Sequence, residues 1–138
     1  MRRHESLRPL SRDHHHGLVE ARAIRWALAQ RAGTLESARA SFLRVWDERL
    51  RAHFAAEEEL LAGLIADPAD VARLRSDHEK LRALVEEVRT DLGPLGTLAH
   101  ELETHIRWEE RTLFPRIEAA ATAQELAAVA SGLARRTE

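Results

Sequence analysis

A histidine and a glutamate four residues apart on a helix present an imidazole nitrogen and a carboxylate to the same side, an arrangement that suits a cation. The chain contains this spacing three times, at His53/Glu57, His105/Glu109 and His16/Glu20. Two of these pairs recur in matching context 52 residues apart, HFAAEEELL from His53 and HIRWEERTLF from His105. With eight histidines and 17 glutamates in 138 residues, about one such pair is expected by chance, so spacing alone identifies nothing. What separates the pairs is the helix face on which each falls.

A helix packed in a bundle buries a seam of alternating three- and four-residue steps. In the first helix that seam reads Leu7, Leu10, His14, Gly17, Ala21, Ile24, Leu28. In the second it reads Leu43, Trp46, Leu50, His53, Glu57, Leu60, Leu64. In the third it reads Val71, Leu74, His78, Leu81, Val85, Val88, Leu92. In the fourth it reads Leu95, Leu98, Leu102, His105, Glu109, then Thr112 or Leu113. One histidine interrupts each apolar seam, and a glutamate one turn on interrupts two of them. His16/Glu20 lies off the stripe of His14. His100 shares a solvated stripe with Thr97, Thr104, Arg107 and Arg111, and His4 precedes the first helix.

The elements that position these seams are bounded by ordinary helix signals. Gly33 and Thr34 read as a C′ residue and the next N-cap, Asp67-Pro68 as N-cap and N1, and Gly93-Pro94 as a stop. Thr122 to Glu125 reads as a capping box, and Pro115 should kink or end the fourth helix. Helices are therefore expected near 7–32, 35–66, 68–92, 95–120 and 123–135. Short loops between them predict an all-α fold, an up-down-up-down antiparallel four-helix bundle with a short fifth helix appended. The length predicts one domain over 1–138, with its core in 7–118. His14 and His53 each lie 19 residues from the turn at Gly33 and Thr34, about 29 Å at 1.5 Å per residue. Reckoned from the other turns, His78, His105 and Glu109 reach the same depth to within about one helical turn. Four histidines and two carboxylates thus converge on one core layer.

Such a layer has two explanations. One is a self-satisfied network of His⁺ and Glu⁻ in a structural or interaction bundle, metal-free or holding zinc. The other is a bound cation, which neutralises the carboxylates and uses neutral imidazole nitrogens. Six ligand-type residues at one depth favour the cation. With no cysteine, soft thiolate sites are excluded, and imidazole with carboxylate suits iron, manganese or zinc.

Composition narrows the rest. A net charge of −2 and interleaved acids and bases point to no nucleic acid, and no apolar run approaches the roughly 18 residues of a membrane span. MRRHESLRPL has no apolar h-region, so the chain reads as cytoplasmic. No Ser/His/Asp set or phosphate loop appears, so metal binding rather than enzymatic turnover is the expected role. Trp46 and Trp108 read as packing residues. Leu126, Val129 and Leu133 give the fifth helix an apolar stripe that either caps the bundle or joins a second copy in a homodimer.

The stretches RDHHHGL, HFAAEEELL, SDHEKLRAL and ETHIRWEERTLFP resemble the hemerythrin-like, HHE cation-binding family over about residues 7 to 118. The resemblance implies a non-haem iron centre, commonly di-iron, with ligands at His14, His53, Glu57, His78, His105 and Glu109. It also implies roles in oxygen binding, oxygen or redox sensing, or iron handling, with O2, peroxide or nitric oxide as small partners. One position departs from the pattern. Oxygen-carrying members have a second histidine on the third helix, one turn before the first, where this chain has Leu74. Two histidines per metal would then remain, with Glu57 and Glu109 bridging. That shifts the expectation from stable oxygen carriage toward sensing, iron or redox handling and slow peroxide or nitric oxide chemistry. Within RDHHHGL the seam selects His14, with His15 its alternative because Leu18 follows three residues later. Glu110 would share the face of His105 only through a π-bulge. Ligand histidines must be neutral, so an ordinary pKa of about 6.5 predicts that metal affinity falls below about pH 6.

Overall fold

Helix caps and helix-compatible residues decide where this chain turns. A computed structural model describes residues 2–30 and 32–136, and among them every regular element is helical and no strand occurs. A 3-10 turn, Glu5–Leu7, opens the chain, capped by His4, whose Nδ1 accepts the Ser6 N–H at 3.0 Å. Helix α1 spans Arg8–Gln30. A second helical run comprises α2 (Ala32–Val45), a π turn (Trp46–Leu50) and α3 (Arg51–Leu60), followed by a 3-10 turn at Ala62–Leu64. Helix α4 spans Pro68–Val88. The fourth run comprises α5 (Leu95–Trp108), a π turn (Glu109–Leu113) and α6 (Phe114–Ala120). Helix α7, Ala123–Arg136, closes the described chain.

Two of the expected caps form. Asp67 accepts the Ala69 N–H at 2.9 Å with Pro68 just inside α4. Thr122 and Glu125 exchange side-chain and backbone bonds of 2.9 and 3.0 Å, the reciprocal capping box ahead of α7. The first turn differs from expectation. Helix α2 is already running at Ala32, so Gly33 and Thr34 lie inside its first turn rather than ahead of it. Arg31, in the expected helix end, lies outside the described residues. Pro115 neither ends nor breaks the fourth run. Its missing N–H and its ring follow directly on the Glu109–Leu113 π turn, where the helix has already loosened its hydrogen-bond ladder.

Some of the seam shifts fall beside the π turns. Each π turn places an extra residue in a turn, which rotates the neighbouring helix face. Upstream of Trp46–Leu50 the buried residue is Phe42, and Leu43 is only half-buried. Within Glu109–Leu113 the seam continues on Leu113, fully buried, while Thr112 is half-buried. At the end of α1 the buried face carries Ala27, and Leu28 is 47% exposed. After Glu57 the buried leucine is Leu61, with Leu60 and Leu64 at the margin.

Packing divides the interior into two apolar clusters. One is built on Ile24, Phe42, Trp46, Phe54, Leu81, Val85 and Leu102. The other is built on Leu7, Leu10, Leu61, Leu74, Leu113, Phe114 and Ile117. Leu126, Val129 and Leu133 of α7 belong to the second, so this stripe covers the chain's own bundle. Helix α7 lies against α3 and the N-terminal 3-10 turn, with Gly132 directly over Leu60. Helix α1 packs against α2 and α5, and α4 against α3 and α5.

Gly17 sets how closely α1 approaches α5, since a Cβ there would sit 3.0 Å from Ile106 Cδ1. Gly17→Ala should be close to neutral in chemical denaturation, because about 1 kcal/mol of helix propensity offsets a small shift of a flexible methyl. Gly17→Leu should cost about 1–3 kcal/mol by wedging the two helices apart. Equal stability of the Leu variant would show that the helices do not meet at this point.

Candidate metal centre

Between the two apolar clusters lies a layer of His14, His53, Glu57, His78, His105 and Glu109, each at most 2% exposed. Helix α1 supplies His14, α3 supplies His53 and Glu57, α4 supplies His78 and α5 supplies His105. Glu109 stands at the first position of the second π turn. That turn begins after His105 and Glu109 have already been brought to one face, so its rotation falls downstream and Glu110 stays outside. His15 is exposed, its ring beside that of His16 at 6.1 Å. His100 is exposed, and Glu20 turns to the Ser41 hydroxyl rather than to His16.

The four Nε2 atoms point inward. His53 Nε2 lies 3.1 Å from Glu57, His78 Nε2 3.1 Å from Glu57, and His105 Nε2 2.8 Å from Glu109. His14 Nε2 lies 3.2 Å from Glu109 and 3.5 Å from Glu57. These are ion-pair distances without hydrogen-bond geometry. The four Nε2 atoms and all four oxygens of Glu57 and Glu109 are buried without a hydrogen-bond partner. A buried polar group left without a hydrogen bond costs about 1–3 kcal/mol unless something offsets it, and here only the mutual ion pairs do so. A donor set of this kind fits a cation, which the eight lone-pair-bearing atoms can satisfy together.

The atoms that could hold an ion fall into two sets. His14, His53, Glu57 and Glu109 form one, and Glu57, His78, His105 and Glu109 form the other. Within each set, one atom per residue lies within 4.8 Å of the rest, and the two carboxylates belong to both. Aromatic rings wall the layer from either side. Phe54 stacks on His78 at 4.1 Å, and Phe114 stacks on His14 at 5.3 Å. Trp46 meets Phe54 edge-on, and Trp108 lies 5.9 Å from the His105 ring, both in packing roles.

The Nδ1 atoms point outward, each to a carboxylate that sequence reasoning missed. His14 meets Glu110 at 2.6 Å, His53 meets Asp13 at 3.1 Å, His78 meets Glu58 at 2.9 Å and His105 meets Asp77 at 2.9 Å. A signal for them was present. Each is the chain neighbour of an inward-facing residue, as Asp13-His14, Glu57-Glu58, Asp77-His78 and Glu109-Glu110.

This surround sets the charge of the metal-free layer. Burial works against a charged His53, but the Glu57 charge and the Asp13 bond outweigh it and raise its pKa to about 9. His105 is likewise opposed by burial yet raised to about 10 by Glu109 and Asp77. His14 is also raised well above the ordinary value, burial being outweighed by Glu109, Glu110 and Glu57. Burial would raise Glu57, but the His53 charge and its other partners hold it well below the usual carboxylate range.

Comparison with known families matches residues 6–97 to the hemerythrin HHE cation binding domain. No curated protein and no solved structure matches the chain. The matched span carries His14, His53, Glu57 and His78 and stops short of His105 and Glu109, which join the layer through the fold of α5. Since the match covers well over half of its residues, the chain belongs to the hemerythrin HHE cation-binding domain family.

Proposed function

We propose that the chain is one domain that holds two metal ions in its core layer, with iron the favoured metal and manganese or zinc the alternatives. His14 and His53 would hold one ion and His78 and His105 the other, with Glu57 and Glu109 common to both groups. The observation that carries this reading is the set of eight buried, inward-facing atoms without partners. Their division into two overlapping groups supports two ions rather than one. An up-down-up-down antiparallel bundle is the topology that fits the helix neighbours and the short connections between them. A metal-free layer of His⁺ and Glu⁻ is the competing reading. It accounts for the charges but leaves the eight atoms without hydrogen bonds.

A redox-active metal held in this layer would supply electron transfer and a place for a small ligand. The chain's own residues exclude bulk water, through Phe54 and Phe114, and keep the carboxylates available as shared anionic ligands. A cleft of about 550 Å³ between α1, the first π turn and α7 reaches His53 and Asp13, which supports entry of an ion or a small molecule from that side. We read the role as oxygen or redox sensing, or handling of iron, O2, peroxide or nitric oxide, in the cytoplasm. Among the described residues no helix is long and apolar enough to cross a membrane. Leu74 is fully buried in the second apolar cluster, so the third helix adds one imidazole to the layer.

Protein purified without chelator should carry up to two iron ions per chain and absorb in the near ultraviolet. His14→Ala and Glu109→Ala should each lose much of that metal, and His15→Ala should keep most of it. Protein that stays metal-free after incubation with ferrous iron in air would rule the reading out.

The pH dependence follows from the raised histidines. Their charged form stabilises the metal-free fold fully below about pH 6.5 and that contribution fades as pH rises through about 9 to 10. Metal needs them neutral, so binding at pH 7 should release protons. Metal-free melting temperature should therefore fall between pH 7 and 10 while metal affinity climbs over the same window, well above the window near pH 6 expected from an unperturbed histidine. Calorimetric titration in buffers of different ionisation enthalpy reads the released protons, and a proton count of zero at pH 7 would contradict this account.

Leu74→His adds an imidazole one turn from His78. Without metal it should destabilise the protein by about 1–3 kcal/mol, as a polar group placed in an apolar cluster. With iron it should bind more tightly than the parent and hold its oxidised form longer. Unchanged metal content and spectrum in a folded variant would show that position 74 does not face the ions.

A further inference from the structure

The outer carboxylates follow a rule that runs around the molecule. Asp13 of α1 meets His53 of α3, and Glu58 of α3 meets His78 of α4. Asp77 of α4 meets His105 of α5, and Glu110 of the following π turn meets His14 of α1. Each helical run orients the imidazole of the next, and the fourth returns to the first. The four side chains are also equivalent in depth, with 25, 27, 27 and 28% of their surface exposed. Each touches a cation on its outer side, Arg49, Arg82, Arg73 and Arg3 in the same order, at 3.8, 2.6, 3.5 and 3.3 Å.

We propose that Asp13, Glu58, Asp77 and Glu110 are positioning residues that form a closed ring, each holding the imidazole of the next helical run as its Nδ1–H tautomer so that Nε2 faces a metal. This rests on the metal reading above. An ionised carboxylate can only accept, so the bond to it keeps a proton on Nδ1, and once the imidazole is neutral its lone pair is on Nε2. The outer arginine pairs with the carboxylate and steadies its position. A helix carrying a ligand does not orient that ligand itself. The orienting group comes from a neighbouring helix, so correct docking of adjacent helices is what makes each imidazole competent. The ring also divides by metal. Asp13 and Glu110 serve the His14/His53 pair, and Glu58 and Asp77 serve the His78/His105 pair.

The test uses the full chain carrying Asp13→Asn, Glu58→Gln, Asp77→Asn or Glu110→Gln. An amide keeps the size but can turn its NH2 toward Nδ1 and favour the tautomer that cannot bind through Nε2. Titration of metal-free protein with ferrous iron under anaerobic conditions should show two binding steps in the parent. Asp13→Asn and Glu110→Gln should weaken one step about 10–100-fold, and Glu58→Gln and Asp77→Asn the other. Nitrogen-15 NMR of the imidazoles, on metal-free and zinc-loaded protein, should show each substitution moving the Nδ1–H signal of one histidine: His53, His78, His105 and His14 for positions 13, 58, 77 and 110. If one variant fails to fold, the other member of its pair tests the same metal. A signal that does not follow its carboxylate, or variants that weaken both steps alike, would overturn the ring. Parent protein that binds no metal would overturn the metal reading, while the metal-free spectra would still decide the ring.

Discussion

Eight buried imidazole and carboxylate atoms with no hydrogen-bond partner among the described residues constrain everything around them. A layer of four imidazoles and two carboxylates at the centre of a 138-residue chain is tolerable only where something offsets its desolvation. The chain meets that demand from two directions. Outside the layer, four carboxylates occupy every Nδ1, so each ring is anchored on its outer side. Inside it, the Nε2 atoms and the Glu57 and Glu109 oxygens face one another at ion-pair distance, without a hydrogen-bond partner among the described residues. Hydrogen bonding is complete on the outer side of each ring and missing on the inner side, as in a layer that could hold a cation.

The apolar clusters above and below serve this layer as much as they serve stability. They exclude water, so the carboxylates feel the nearby imidazoles strongly, and the metal-free protein responds by holding protons on His53 and His105 far above the ordinary range. A cation held there would compete with protons for the same layer. The aromatic faces of Phe54 and Phe114 fix the planes of His78 and His14 on opposite sides of the site. Leu74 belongs to the apolar wall rather than to the ligand set, so the two halves of the layer carry equal numbers of imidazoles.

The π turns at Trp46–Leu50 and Glu109–Leu113 fall beside the site on two helical runs. A regular α-helix drifts relative to a fixed seam, and an extra residue in one turn resets that drift. Here the reset lets His53 and Glu57, and His105 and Glu109, face the core in ordinary four-residue spacing while Phe42 and Leu113 still reach the apolar clusters.

The sequence by itself determined the helical class, the Asp67 and Thr122 caps and the residues that interrupt each apolar seam. Those features are local: periodicity, turn chemistry and residue type are readable within one or two helical turns. Seam phase picked out His14 over His15 and placed Glu109 ahead of Glu110, and the fold brings the seam residues together. The seam ends were not legible. Phe42 for Leu43, Ala27 for Leu28 and Leu61 for Leu60 depend on π turns and on which neighbour each helix meets. Nor was the outer ring read, although an acidic residue sits beside one inward-facing residue on each helical run. Adjacent residues on a helix point about 100° apart, so Asp13 and His14 cannot serve the same partner. Which imidazole Asp13 reaches is decided only when α1 lies against α3, because a hydrogen bond between helices exists only once their docking has fixed the distance between them.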